Sequence, residues 1–230
     1  MPDFSAFIQR LAETPVADDA ANQFAAGDNP YNALRRANLL RYLTDVYDRR
    51  APIALIGEAP GYRGMRLMGI PFGSRRIVTQ GLPALGLFGV ARGYVDVPEP
   101  GFEAINAEQS GTIVWGTLSE LGIVALSWGA FPFHPHKPGQ MLTNRAPRTP
   151  EVATGAPFVH ELLDIFQPQK VIAVGNVAHR QLTALGIPSV KIRHPAQGGK
   201  NDFVAGLRAE TQEFTKGLRA EGSKGLRAEE

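Results

Sequence analysis

Hydrophobic positions along the chain fall into four short runs with little polar alternation, separated by stretches with helical periodicity. The runs occupy residues 52–56, 122–127, 170–175 and 189–195. Helical spacing of apolar side chains occupies residues 31–50, 112–121, 157–166 and 176–185. Short apolar runs are typical of strands buried on both faces of a sheet, and intervening helices favour parallel pairing. The pattern therefore predicts an α/β fold, with three α/β/α layers around a central four-stranded, mainly parallel sheet.

Four predicted loops follow the carboxyl ends of these strands. They comprise residues 58–72, 128–147, 175–176 and 194–201. Ligands of parallel α/β sheets bind beyond this edge of the sheet. We therefore expect the four loops to form one rim around a ligand site.

The composition indicates one globular domain. Of the 230 residues, 43% are apolar and 20% are charged, and no apolar run approaches the length of a membrane span. The N-terminal residues MPDFSAFIQR lack the pattern of a secretory signal, so we expect a cytoplasmic protein with no membrane partner. Residues 1–204 are predicted to form the domain. Residues 205–230, in which GLRAE recurs, are predicted to form a polar tail without chemistry.

Cysteine and charge usage narrow the chemistry. The chain contains no cysteine, which excludes disulfides, thiolate zinc sites, iron–sulfur clusters and cysteine nucleophiles. Its net charge is only +2, but Asp and Glu are missing from residues 61–95, 121–150 and 165–201. These basic segments indicate either a face for a polyanion or an ordinary solvated surface.

Three loop motifs carry candidate chemistry. GEAPG, from Gly57, follows the first strand and is either an anion-binding turn or merely a tight one; it is neither a Walker A loop nor a dinucleotide fingerprint. His194, in RHPAQGGK, is either a structural histidine or a functional one at the predicted rim. His134 and His136 lie in a long, Pro-rich basic loop, for which a phosphate-facing role is favoured over metal binding.

Taken in order, these motifs resemble those of the uracil-DNA glycosylase superfamily. The chain has a strand ending in GEAPG, a downstream G-x-P-F, a loop with N-R-x-P-x-T-P-E, a strand leading into G-N-x-A, and a terminal H-P, all within residues 53–201. The resemblance implies the fold of that superfamily and an enzyme of base excision repair. Such an enzyme hydrolyses the N-glycosidic bond of a flipped-out uracil in DNA, leaving an abasic site and releasing free uracil. It also implies a monomer that needs no metal or organic cofactor.

Matching positions imply roles for individual residues. Glu58 would position or activate the water, flanked in the uracil-binding pocket by Gly57 and Ala59. Phe72 would stack on the extruded uracil. His194 would donate a hydrogen bond to uracil O2 as negative charge develops on the leaving base.

The same resemblance implies contacts with uracil-containing DNA. From Pro195 onward, the chain would enter the minor groove and help to hold the duplex open. Basic side chains would contact phosphates without reading the sequence. The candidates are Arg63, Arg145, Arg193 and Lys200.

The chain departs from the superfamily pattern at several places. Without cysteine it lacks the iron–sulfur cluster of the branch with a similar GEAPG motif. Ala59 stands where another branch has a water-positioning Asp, so either Glu58 takes over or the water is held otherwise. Trp128 stands at about the position where many members have an Asn that reads uracil, and an indole cannot supply its donor and acceptor. Backbone groups or another residue would then read the base, or the preferred base is not uracil. Tyr62 either closes the pocket beside C5 against thymine or packs in the core.

Three functions therefore remain open at the level of the sequence. The first is a uracil-DNA glycosylase. The second is a nucleic-acid-binding protein of the same fold with weak or altered base specificity, for example for hypoxanthine or xanthine. The third is a small-molecule hydrolase on an α/β scaffold, which the absence of a G-x-S-x-G motif disfavours.

Overall fold

The computed structural model describes residues 2–27 and 29–215. Its helices are α1 (Phe4–Glu13), α2 (Tyr31–Asp48), α3 (Met65–Met68), α4 (Arg75–Gln80), α5 (Gln109–Leu121), α6 (Thr149–Phe166), α7 (Asn176–Ala184) and α8 (Lys200–Glu210). Its strands are β1 (Ala20–Ala21), β2 (Ile53–Gly57), β3 (Ala125–Gly129), β4 (His134–Pro135), β5 (Lys170–Val174) and β6 (Val190–Ile192). No helix within these described ranges is long and apolar enough to cross a membrane.

A four-stranded sheet in the order β3-β2-β5-β6 forms the centre of the fold. All three pairings are parallel, and every residue of β2 and β3 is buried. Strands buried on both faces need helices on both sides of the sheet. The predicted α/β fold with a four-stranded parallel sheet flanked by helices is confirmed.

Two helices begin earlier than their sequence patterns predicted. α5 begins before residue 112 because the carboxylate of Glu108 caps it, accepting a hydrogen bond from the backbone N–H of Ser110 (2.9 Å). α6 begins at Thr149, so the predicted start at residue 157 was wrong, and Pro157 lies inside the helix. α6 packs tightly on the chain after β3, because a β-carbon on Gly155 would lie 2.0 Å from the carbonyl oxygen of Ala130. Tertiary contact thus outweighs the helix-breaking tendency of proline here.

A buried ion-pair cluster anchors the segment that leads into the candidate site. Arg35 on α2 and Arg66 on α3 both donate hydrogen bonds to the buried carboxylate of Glu99. The guanidinium carbon of Arg66 also lies 4.4 Å from the centroid of the Phe102 ring. Immediately after α3, Gly69 adopts φ +77°, and a β-carbon there would lie 2.5 Å from the Arg35 carbonyl oxygen. The G-x-P-F motif therefore begins at a glycine that packs closely against α2.

The C-terminal part of the described chain is helical and packed. α8 buries Phe203 and Leu207. The predicted boundary between residues 204 and 205 falls within this helix. The last two GLRAE copies, in residues 216–230, lie outside the described residues.

Candidate active site

A cleft of about 1030 Å³ lies at the carboxyl edge of the parallel sheet. Its walls come from the chain after all four strands and from the first residues of α5 and α7. The cleft therefore brings together residues from each of the four loops that the sequence predicted to form one rim. A cavity of this size accommodates a nucleoside or a drug-sized ligand.

Phe72 forms one wall of the cleft and is held against the end of β2. A β-carbon on Gly57 would lie 2.6 Å from Cζ of the Phe72 ring, so only glycine permits this contact. The backbone of Phe72 adopts φ +51°, a conformation that an aromatic residue rarely takes. On its other side α5 approaches closely, because a β-carbon on Gly111 would lie 1.9 Å from the Phe72 carbonyl oxygen. A strained backbone that is clamped on both sides is typical of a functional position.

Glu58 lies directly after β2, half-buried in the cleft. Burial raises the pKa of its carboxyl group, and the positive charge of Arg180 partly opposes this shift. The backbone is fixed, because the carbonyl oxygen of Glu58 accepts a hydrogen bond from the N–H of Phe131 (3.0 Å). A half-buried carboxylate in this setting can accept a hydrogen bond from water and orient it.

His194 lies after β6 and is also half-buried in the cleft. Burial lowers the pKa of its imidazole, and the adjacent charge of Arg193 lowers it further. The backbone N–H of Ala196 donates to Nδ1 (3.1 Å). A nitrogen that accepts a hydrogen bond carries no proton, so the neutral ring has its proton on Nε2. Within the described chain, Nε2 has no hydrogen-bond partner. The site therefore holds a neutral imidazole with one N–H group available to a ligand.

The backbone around His194 is tightly packed, which fixes the position of the ring. A β-carbon on Gly175, at the end of β5, would lie 3.3 Å from Cβ of His194. A β-carbon on Gly199 would lie 2.1 Å from the His194 carbonyl oxygen. Gly175 thus lets the chain after β6 approach the end of β5, and Gly199 lets that chain turn back closely on itself.

The floor of the cleft contains Trp128 and Ala59. Trp128 contributes to the lining, but its side chain is only 1% exposed and packs edge-on against Phe7, with 5.6 Å between ring centroids. Its Nε1–H group is buried without a hydrogen-bond partner in the described part of the chain. Ala59 lines the cleft with a methyl group. Neither side chain offers the donor and acceptor pair of an amide.

Tyr62 and Arg63 lie outside the cleft lining, although the sequence placed them in the uracil-binding and DNA-binding sets. The Nε–H of Arg63 donates to the hydroxyl oxygen of Tyr62 (2.8 Å). Its guanidinium carbon lies 5.3 Å from the centroid of the Tyr62 ring. The two side chains therefore pair with each other beside the cleft.

Arg145 lines the cleft but uses its donors within the protein. Two N–H groups donate to the carboxylate of Glu151 (2.6 and 2.7 Å). The others donate to the carbonyl oxygens of His136, Asp19 and Ala146. A guanidinium has five N–H groups, and all five have partners here. Arg145 therefore holds its loop in place with all five donors, and its role in DNA binding stays a prediction.

Of the other predicted DNA contacts, Arg193 alone belongs to the cleft lining. Arg193 is exposed and lines the cleft. Pro195, which follows His194 in the sequence, is buried and lies outside the lining. Lys200 is exposed at the start of α8, also outside the lining.

The fold also brings to the cleft polar residues that are not among the site residues predicted from the sequence, and four of them concern the chemistry below. They are Asn144, Asn176, Arg180 and Lys191. Asn144 and Asn176 belong to the quoted motifs N-R-x-P-x-T-P-E and G-N-x-A, so the motifs themselves were a signal. Arg180 and Lys191 lie within predicted secondary structure, where the sequence does not say which of them faces a ligand.

His134 and His136 are buried rather than directed at the cleft. His134 lies between two carbonyl oxygens, with Nδ1 2.8 Å from Pro60 and Nε2 3.1 Å from Met141. Burial lowers the pKa of His134. The ring thus links the GEAPG segment to the loop that carries Asn144. Across residues 2–27 and 29–215, no group of three or more His, Asp or Glu residues is placed to hold a metal ion.

The family model described as the uracil DNA glycosylase superfamily matches residues 44–215, most of the chain. Among solved structures, the fold is similar to the crystal structure of SMUG2 from Pedobacter heparinus, with a TM-score of 0.53 and 13% sequence identity. That match covers 95% of this chain and 97% of the other. No curated protein sequence gives a match. At this identity the structural similarity establishes a shared fold, whereas the family match spans every residue that lines the cleft.

Proposed function

Because the chain belongs to the uracil DNA glycosylase superfamily, we propose that it hydrolyses the N-glycosidic bond of uracil in DNA and leaves an abasic site. Membership of the superfamily supports a DNA glycosylase; the choice of uracil is our proposal. The observation that carries it is the neutral His194, whose Nε2–H is available in the same cleft as Phe72 and Glu58. A monomer that acts on uracil-containing DNA and releases free uracil is part of the same proposal.

Base flipping is the first step, because a stacked base cannot reach groups at the bottom of a cleft. The volume of about 1030 Å³ accommodates one extruded nucleotide. The ring of Phe72 offers the aromatic face on which the base would stack, and its clamped backbone reduces the entropy lost on binding. This stack is sequence-tolerant, so other contacts must choose the base.

His194 would stabilise the leaving base. As the bond between C1′ and N1 breaks, the electron pair moves onto the pyrimidine, and O2 gains negative charge. The Nε2–H donor strengthens its hydrogen bond as that charge grows, which lowers the barrier. A lowered pKa keeps the imidazole neutral at physiological pH, and a neutral donor does not transfer its proton prematurely.

Glu58 would hold the water that attacks C1′. The sugar becomes cationic as the base departs, and an ionised carboxylate stabilises that charge and accepts a hydrogen bond from the water. The water oxygen bonds to C1′, and its proton passes through Glu58 to solvent. Burial opposes the ionisation of Glu58, and the positive charge of Arg180 favours it.

Phosphate contacts would come from the exposed cations at the edge of the cleft. Arg193, Lys191 and Arg180 line it and are exposed, and Lys200 is exposed at the start of α8. Such contacts fix the position of DNA without reading its sequence. Binding is therefore expected to weaken as the salt concentration rises.

A second candidate function is excision of another deaminated base, such as hypoxanthine or xanthine, with the same machinery. The buried indole of Trp128 favours it, because this side chain does not present an amide to uracil. The stack on Phe72 and the donor on His194 would serve a purine as well as a pyrimidine.

Labelled oligonucleotide duplexes test both functions. Each contains a single uracil, hypoxanthine, xanthine or thymine, and alkali converts any abasic site into a strand break. Breaks with uracil and none with thymine support our proposal. Breaks only with a purine support the second candidate. Binding of DNA without breaks in any duplex would rule out both, and would leave a nucleic-acid-binding protein of this fold.

A further inference from the structure

We infer that Asn144 reads the exocyclic carbonyl group of the bound base, in place of an amide at the Trp128 position. This inference rests on the proposed function and assigns the residue that sets base specificity. Asn144 lies in the cleft lining and is exposed. It comes from the loop between β4 and α6, a different part of the sheet edge from Trp128 at the end of β3.

The amide of Asn144 lies against the GEAPG segment. Its Oδ1 accepts a hydrogen bond from the backbone N–H of Tyr62 (3.0 Å). A β-carbon on Gly61 would lie 3.5 Å from Nδ2 and 3.7 Å from Oδ1. The side chain therefore bridges from its own loop to the loop that carries Glu58.

Both neighbours of Asn144 are anchored, so its position is well determined. The hydroxyl oxygen of Thr143 accepts a hydrogen bond from the backbone N–H of Lys137 (3.0 Å). The backbone N–H of Arg145 donates to the carbonyl oxygen of Pro135 (3.2 Å), and its guanidinium is held by Glu151. Specificity contacts require such support, because a loosely held amide discriminates poorly.

The contact with Tyr62 also fixes which end of the amide faces the ligand. A backbone N–H can only donate, so the atom opposite it must be the oxygen of Asn144. The Nδ2 group then keeps two N–H donors, and neither has a partner within the described residues. Asn144 thus presents mainly donors to a base.

Donors select bases by the group at the Watson–Crick edge. Uracil carries a carbonyl oxygen at position 4, and hypoxanthine carries one at position 6. Cytosine and adenine carry amino groups there, which would oppose the Nδ2–H groups and lose their own hydrogen bonds to water. Asn144 would therefore favour bases that carry a carbonyl group at this position over their amino parents. It would not distinguish uracil from thymine, since both carry O4.

The test replaces the donors with an acceptor of the same shape. Asn144→Asp keeps an oxygen for the N–H of Tyr62 but turns the outer group into an acceptor, and Asn144→Ala removes both. Asn106→Asp, at an exposed position outside the cleft lining, adds the same charge as a matched control. Each protein is assayed for single-turnover excision of uracil and of cytosine from duplex DNA. Binding of free uracil and free cytosine is measured by ligand-observed NMR.

We expect Asn144→Asp to lose roughly 10- to 100-fold in uracil excision and uracil binding, and to shift its preference toward cytosine. Asn144→Ala should lose uracil excision without gaining cytosine binding. Asn106→Asp should match the wild type, and all four proteins should keep the same melting temperature. An Asn144→Asp protein whose ratio of uracil to cytosine binding stays within about threefold of the wild type overturns the inference. So does an equal loss in Asn106→Asp.

The two levels of the proposal fail differently. If the wild type excises no base but binds uracil in preference to cytosine, and Asn144→Asp reverses that preference, the glycosylase proposal fails and the role of Asn144 stands. If the wild type excises uracil and Asn144→Asp keeps its preference, only the role of Asn144 fails.

Discussion

The ring of Phe72 lies directly on the α-carbon of Gly57, and a β-carbon added there would come within 2.6 Å of the ring. This contact joins the end of the central strand β2 to the residue proposed to stack on the base. It explains why a glycine precedes Glu58. Any side chain at position 57 would push the Phe72 ring out of its present position.

Gly57→Ala is expected to displace the Phe72 ring and to slow uracil excision by about 10- to 100-fold, because misplacement of a binding group by about 1 Å costs that much. Gly116→Ala is the matched control, since a β-carbon there meets no atom within 4 Å. In α5 this control should stabilise the protein by about 1 kcal/mol and leave excision unchanged. Excision rates of the two variants, with their urea unfolding curves, make the comparison. A Gly57→Ala protein as active as the wild type would show that the position of the Phe72 ring does not affect excision.

The charge of Arg180 is expected to set the acid limb of the pH–rate profile. Burial raises the pKa of Glu58, and Arg180 opposes the shift. Excision needs the ionised carboxylate, so the rate should fall as the pH drops through the pKa of Glu58. Arg180→Ala should move this limb to higher pH, because the remaining desolvation acts without opposition. Arg92→Ala, which removes an exposed cation outside the cleft lining, should leave the limb in place. An acid limb that stays in place in Arg180→Ala would show that the charge of Arg180 does not influence the ionisation of Glu58 during excision.

The buried Arg35–Glu99–Arg66 cluster is expected to support the stability of the fold. Although burial acts in the opposite direction, the hydrogen bonds and charges of Arg66 and Arg35 hold the pKa of Glu99 below its usual value. Glu99→Gln would leave two buried cations without a counter-charge and should lower the free energy of unfolding by about 3–5 kcal/mol. Glu120→Gln, which breaks an exposed pair with Arg208, should cost no more than about 1 kcal/mol. Urea unfolding at neutral pH measures both, and equal losses would refute the account.

The pH dependence of this stabilisation has a definite sign. A carboxyl group whose pKa is lower in the folded than in the unfolded protein stabilises the fold above its unfolded pKa. The contribution of Glu99 should therefore be complete at neutral pH and be lost as the pH falls through its lowered pKa. In Glu99→Gln, the free energy of unfolding should therefore fall less than in the wild type as the pH drops through this range.

Local patterns were sufficient to predict the sheet and the edge at which the cleft lies. The strands are short apolar runs that stop at glycine or turn residues, and parallel order follows from the intervening helices. Glu58, Phe72 and His194 were selected because they lie in the motifs that resemble those of the superfamily, and the fold brings all three to one cleft.

What the sequence left undetermined depends on contacts between distant parts of the chain. The sequence alone indicates that Arg145 is a free cation. In the structure its guanidinium donates to Glu151 and to the carbonyl oxygen of Asp19, a residue 126 positions earlier. The orientation of Asn144 depends on the N–H of Tyr62, 82 positions away. Neither relationship leaves a periodic pattern, so local reasoning could not identify the ion pair of one or the donor face of the other.

The most direct test of the central claim is the single-turnover rate at which the wild type and His194→Ala release uracil from a duplex, measured together with the affinity of each for that duplex. Loss of the Nε2–H donor should slow release by about 100-fold or more, the usual cost of removing one such donor, while DNA affinity stays the same. No release by the wild type would contradict the proposed activity, and an equal loss of rate and affinity in His194→Ala would contradict the role of His194 in stabilising the leaving base.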